Sequence, residues 1–177
     1  MDQNLPRRQM SGFLFTAVLG TFLHFFFDLT GGSVVAALIS AVNESIFEHM
    51  KLIYYPMLLF ALLQYRQFGN HTENFWCVKL AGILVALALI PSLYYLYTGA
   101  LGVSADWFNV TIFFIAAAVG YWMETRLFQG TANCRPRQSI CFALILAIGV
   151  IFTVFTFFPP RVPLFRDPLT GTYGFEF

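Results

Sequence analysis

Four stretches of the chain carry no Asp, Glu, Lys or Arg: residues 9–27, 80–105, 107–123 and 138–160. A helix crosses the hydrocarbon core of a bilayer with roughly 20 apolar residues, so each run is long enough to span, or within a turn of it. Charged residues make up 11% of the 177, against about a quarter in a soluble domain. That is too few to coat a surface facing water. A soluble enzyme and a disordered chain are excluded on this ground. The net charge of +1 leaves no basic footprint for nucleic acid.

The expected fold class is therefore all-α: a polytopic membrane helix bundle in a lipid bilayer, forming a single membrane domain over 1–177. Four spans follow from the charge-free runs, at about 12–31, 75–98, 107–127 and 138–158. The fifth comes from residues 52–65, which are apolar but too short alone. Extended backwards they give a helix over 43–65, starting either at Asn43 as N-cap or at Ser45, whose spacing to Glu48 is that of a capping box. Residues 34–42 are apolar and far too short to cross, and predict a re-entrant or interfacial half-helix. Pro56 and Pro91 fall inside spans, where each frees a backbone carbonyl.

Five spans divide the ten Lys and Arg residues unequally. Arg7, Arg8, Arg66, Lys79, Arg126, Arg135 and Arg137 fall on one side, and Lys51, Arg161 and Arg166 on the other. The positive-inside rule then puts the N-terminus in the cytoplasm and the C-terminal tail outside a cell membrane. Cys77, Cys134 and Cys141 all fall at the cytoplasmic ends and have no metal or disulfide spacing. The apolar run behind Arg7-Arg8 lacks a small-residue cleavage site and contains His24 and Asp28, which makes it a retained first helix rather than a signal peptide.

Ionisable residues at membrane depth cost about 2.5–3.5 kcal/mol each on insertion scales, so their placement carries information. His24 and Asp28 lie in the outer half of the first span. Glu44, Glu48 and Lys51 form one stripe on the second, with His49 about 100° round from Glu48. Together with Asn43 they make a ligand-binding candidate: His24, Asp28, Asn43, Glu44, Glu48, His49 and Lys51. Glu124, two residues before Arg126, reads as a cytoplasmic-boundary residue.

Three readings of this cluster stand side by side. The first is an externally opening polar cavity that binds or transports a cation or small polar ligand; for transport, five spans without an inverted repeat call for a homodimer or a membrane partner subunit. The second is a metal-dependent intramembrane hydrolase of a lipid-type substrate, with His24, Asp28, Glu48 and His49 holding a divalent metal ion as cofactor. Ser45-Ile-Phe-Glu48-His49 misses the His-x-x-Glu-His metal pattern at its first position. The third is an ion-pair network fixing helix register, with no ligand. Its difficulty is arithmetic, because three carboxylates and two histidines face the single permanent cation Lys51.

Residues 159–177 form an external tail in which four prolines exclude a regular helix. Its Phe, Leu and Tyr content suits either an interfacial anchor or a lid folded over the polar cluster.

Two segments carry a resemblance. Val42-Asn43-Glu44-Ser45-x-x-Glu48-His49-x-Lys51, and Pro163-Leu164-Phe165-x-Asp167-Pro168-x-Thr170-Gly171-x-Tyr173-Gly174 in the tail, resemble signatures of a family of small bacterial integral membrane proteins of unknown function. The resemblance implies a bacterial cytoplasmic membrane and supplies no activity or ligand.

Overall fold

The computed structural model describes residues 4–69, 72–130 and 137–175; Cys134, Arg135 and the last two residues lie outside them. Five long helices carry the architecture. Helix α1 (Leu5–Leu29) has Pro6 in its first turn, where a missing N–H costs nothing. It stops at Gly31 and Gly32, whose positive φ values of 66° and 77° turn the chain. A single turn, α2 (Val34–Ala37), follows. Helix α3 (Ile46–Gln67) is capped by Ser45, whose hydroxyl accepts the Glu48 N–H at 3.3 Å. The helix thus starts at the Ser45 capping position rather than at Asn43. Asn43 Oδ1 instead accepts the Ser45 N–H and shapes the approach to the helix.

Helix α4 (Phe75–Leu101) ends on Gly102 in the left-handed conformation. Helices α5 (Asp106–Gln129) and α6 (Gln138–Phe157) complete the five. All five are long and apolar enough to cross a membrane. The half-helix expected over 34–42 is shorter than its apolar run: one turn, then irregular chain that buries Ala36, Ala37, Ser40 and Ala41 and turns Val34 and Val35 outward. The tail has one 3-10 turn, Pro163–Phe165, and a single bridge between Arg166 and Tyr173.

Helices α3 and α4 form the centre. About half of each is buried, 56% and 50% of their spanning windows, against 22% for α1 and for α6. Close approach depends on glycine. A Cβ on Gly20 of α1 would stand 2.5 Å from the Leu52 carbonyl oxygen of α3, and one on Gly120 of α5 would stand 3.0 Å from the Gly82 carbonyl of α4. In lipid, where apolar burial between helices gains little, such backbone contact supplies the packing. The outward side of α1 is a stripe of Met10, Leu14, Val18, Phe22, Phe25 and Leu29, all exposed. A patch of that kind is untenable in water and ordinary in lipid. The chain is a multi-pass membrane protein.

Glu124 departs from its reading as a boundary residue. It is 1% exposed and lies 2.5 Å from the equally buried Lys79, whose ammonium also faces the Tyr121 ring at 5.6 Å. The space for it comes from Gly82, where a Cβ would meet Glu124 Cγ at 2.5 Å. Sequence position near a helix end did not reveal this, because the inward face of α5 is still enclosed by α4 at that level.

Gly20→Ala drives a methyl into the α3 backbone, which cannot swing aside as a side chain can. Overpacking of this kind costs about 1–3 kcal/mol. The expected result is a lower melting temperature in detergent for Gly20→Ala, whereas Gly99→Ala, with open space around it, leaves melting nearly unchanged.

Candidate metal centre

The polar residues gathered by sequence separate into two layers. The deeper layer is closed. Lys51 Nζ lies 2.6 Å from Glu48 Oε2, at 0% and 1% side-chain exposure. Lys51 also donates to the Ala37 carbonyl at 2.9 Å and to Thr156 Oγ1 at 2.8 Å. Glu48 Oε1 lies 3.0 Å from the Thr156 hydroxyl, and Oε2 accepts the Val42 N–H at 3.1 Å. The three ammonium protons are thus spent on a carboxylate, a carbonyl and a hydroxyl, and both carboxylate oxygens are engaged. A buried pair holds only with its remaining lone pairs and protons satisfied in this way.

Above it lies an open layer. Helix α1 supplies His24, the loop before α3 supplies Glu44, and the first turn of α3 supplies His49. One ligand atom from each comes within 4.8 Å of the others. Glu44 Oε2 is 3.3 Å from His49 Nε2 and Glu44 Oε1 is 3.9 Å from His24 Nε2, while the two imidazole rings are 5.3 Å apart. Ligands 2.0–2.1 Å from a tetrahedral zinc stand roughly 3.4 Å from one another. The Glu44–His49 separation already fits, and His24 lies within a small side-chain adjustment.

The orientation of His49 is fixed. Its Nδ1 is 2.9 Å from the Ser45 carbonyl oxygen, which can only accept, so Nδ1 carries the proton. That leaves Nε2 facing a carboxylate with a lone pair unless a second proton or a cation lies between them. A backbone carbonyl holding the far nitrogen is the usual way a ligating histidine is oriented. The hydrogen bond with His49 holds the Glu44 carboxyl below the ordinary carboxylate range, against the upward push of burial.

Beside this trio opens a cavity of about 200 Å³. Glu44 and His49 line it together with Ser104 and Asn109 at the α4–α5 connection and with apolar Ile90, Ile112 and Phe113. Asn109 accepts from the Tyr97 hydroxyl and donates to Ser104 Oγ at 3.3 Å. Pro168 and Leu169 of the tail close one side.

Of the residues singled out in the sequence, His24, Glu44 and His49 converge. Glu48 and Lys51 neutralise each other one layer deeper. Asp28 is exposed at the end of α1 and stands outside the trio. Asn43 holds the tail, donating from Nδ2 to the Gly174 carbonyl at 3.1 Å. Sequence reasoning missed Thr156 and Ser104; it had Asp167 in the tail that folds back over the cluster, and the structure gives that residue its contact, Oδ2 accepting the Glu44 N–H at 3.4 Å. The tail motif was the available signal for Asp167.

A sequence profile of the family of unknown function DUF6512 matches residues 5–175. The chain belongs to that family. No curated protein and no solved structure matches it. The profile covers all five long helices and the tail through Phe175, so both polar layers belong to the part shared with the family.

Two measurements test this geometry. Lys51→Met strands Glu48 in a closed apolar setting and is expected to cost about 3–5 kcal/mol, while the double variant Glu48→Gln/Lys51→Met recovers much of that loss in thermal melts. The second concerns Asp167. Burial would raise its carboxyl, but hydrogen bonds from Leu169, Thr170 and the Glu44 N–H outweigh this and hold it below its ordinary value. A depressed folded-state value contributes stability that is fully present above the unfolded value, about 3.9. It is lost as pH falls through the depressed one. Protease nicking of the tail should therefore stay constant from neutral pH down to about 4, rising only below; in Asp167→Asn the tail should be cut readily at neutral pH.

Proposed function

We propose that the protein binds a divalent cation of the zinc type through His24, Glu44 and His49. The site faces outward from a cytoplasmic membrane, with the N-terminal end of α1 inside the cell. The observation that carries this reading is the environment of His49. One ring nitrogen is committed to the Ser45 carbonyl, the other points at one oxygen of the Glu44 carboxylate, and a second imidazole stands near the other oxygen. Two nitrogens and one carboxylate oxygen are a common zinc set, and three protein ligands leave a coordination position open. The seven-to-three division of Lys and Arg supports the orientation.

Binding from one side is favoured over passage across the bilayer. From Lys51 to Gln64, about 20 Å along α3 at 1.5 Å per residue, the buried core includes Ile53, Met57, Ala61, Ile83, Ala86 and Ile145, and the one polar group of α3 buried among them, the Tyr54 hydroxyl, is spent on the Ile145 carbonyl at 2.7 Å. This apolar waist separates the outer polar layers from the Lys79–Glu124 pair.

Elemental analysis and calorimetric zinc titration of protein purified in detergent are expected to give about one zinc per chain. His49→Ala should weaken binding by about 100-fold or more. Occupancy should fall on acidification, because protons compete with the cation for the imidazole nitrogens. Undiminished zinc in the His24→Ala/His49→Ala double variant would sink the assignment. It would leave His49 as an imidazolium paired with Glu44.

A further inference from the structure

The cavity beside the trio says what such a cation would act on. We infer that the site hydrolyses a neutral acyl ester delivered from the outer leaflet of the bilayer; this rests on the cation-binding reading above.

Three observations converge. The first is charge. Among the described residues, Glu44 is the only one lining the cavity with a permanent charge, and no Lys or Arg joins it. An anionic phosphate group would find no counter-charge there beyond the cation itself, whereas an uncharged carbonyl meets no penalty. The second is the shape of the polarity. Apolar Ile90, Ile112 and Phe113 share the lining with two polar pairs from different elements, His49 with Glu44 and Ser104 with Asn109. An acyl chain fits the apolar residues and a carbonyl fits the polar pairs. Asn109 Nδ2 donates one N–H to Ser104, leaving the amide's second N–H to face a carbonyl oxygen.

The third is the mouth. Leu169 lines the cavity and is 78% exposed, and the nearby α4–α5 connection exposes Leu101, Val103 and Trp107 at 63–70%. An exposed tryptophan among aliphatic residues at a helix end is the pattern of a membrane–water interface. Substrate reaching this rim comes from lipid, and water reaches the half-exposed Glu44 from outside.

The step balances without a redox partner. Water adds to the acyl carbon, the bond from that carbon to the alkoxy oxygen breaks, and the leaving oxygen takes a proton from the attacking water. The products are a carboxylic acid and an alcohol. The cation acidifies the water and polarises the carbonyl. His24, Glu44 and His49 hold it. Asn109 stabilises the oxygen on which negative charge develops, as a preorganised donor does.

Zinc-loaded protein in detergent, with zinc content measured on the same sample, is assayed with the 4-nitrophenyl ester of a medium-chain fatty acid and with bis(4-nitrophenyl) phosphate. The expected result is ester turnover that disappears on chelation and returns with zinc, and no phosphodiester turnover. His49→Ala should lose zinc and turnover together. Asn109→Ala should keep its zinc and lose about 100-fold in kcat. Chelation and reloading of the unmodified chain keeps the test valid if either variant fails to fold. Full zinc occupancy with ester cleavage no faster than in the chelated protein would overturn this inference and leave the cation site standing. Cleavage of the phosphodiester in place of the ester would overturn the substrate class. Absence of zinc from the loaded protein would bring down the cation reading and this inference together.

Discussion

The buried Glu48–Lys51 pair holds the rest of the histidine-bearing end of the bundle in place. Through Lys51 it takes the carbonyl at the end of the short helix α2, through Thr156 it reaches the last turn of α6, and through Glu48 it takes the Val42 N–H. Three separate chain segments are thereby tied to one turn of α3. The irregular stretch from Leu38 to Ser45 has almost no secondary structure of its own, so its path is set by these bonds. Glu44, at its end, is brought over His49 and under His24 because the chain around it is anchored from below. The pair resembles a site by residue type and behaves as a foundation.

That division of labour explains what the sequence revealed and what it hid. Four of the five helices were legible because a charge-free run of membrane length admits one interpretation, and α3 was legible by extending the short run 52–65 back to a capping position. The gathering of His24, Glu44 and His49 was legible in outline, since short connections make α1 and α3 neighbours and set their outer halves level. The allocation of roles was not. Glu48 and Glu44 lie four residues apart, and no pattern says which one meets Lys51; that depends on Thr156, over a hundred residues away. Surplus carboxylate over permanent cation was the useful clue, and the structure locates that surplus at Glu44. Glu124 was hidden for a different reason. Its burial depends on a missing side chain, Gly82, on another helix.

Polarity in this bundle is stratified. One polar level lies near each end, and the middle is packed with Ile, Met, Ala and Tyr54, whose hydroxyl donates to the Ile145 carbonyl. The Lys79–Glu124 level is closed, and the level of Glu44 is half open to the surroundings. An asymmetry of this kind suits chemistry done at one surface, and it suits proton and ion tightness for the membrane as a whole.

The hydrogen bond from the Glu44 N–H to Asp167 has a consequence for biosynthesis. The two residues are 123 positions apart, with four spanning helices, α3 to α6, made between them. A ribosome releases Glu44 long before Asp167, so the trio stays unfinished while α4, α5 and α6 enter the bilayer. It gains its last restraint when residues 163–175 fold back towards Glu44. Maturation of the site is thereby coupled to completed membrane insertion, and a chain arrested short of that point holds its histidines without the carboxylate fixed between them.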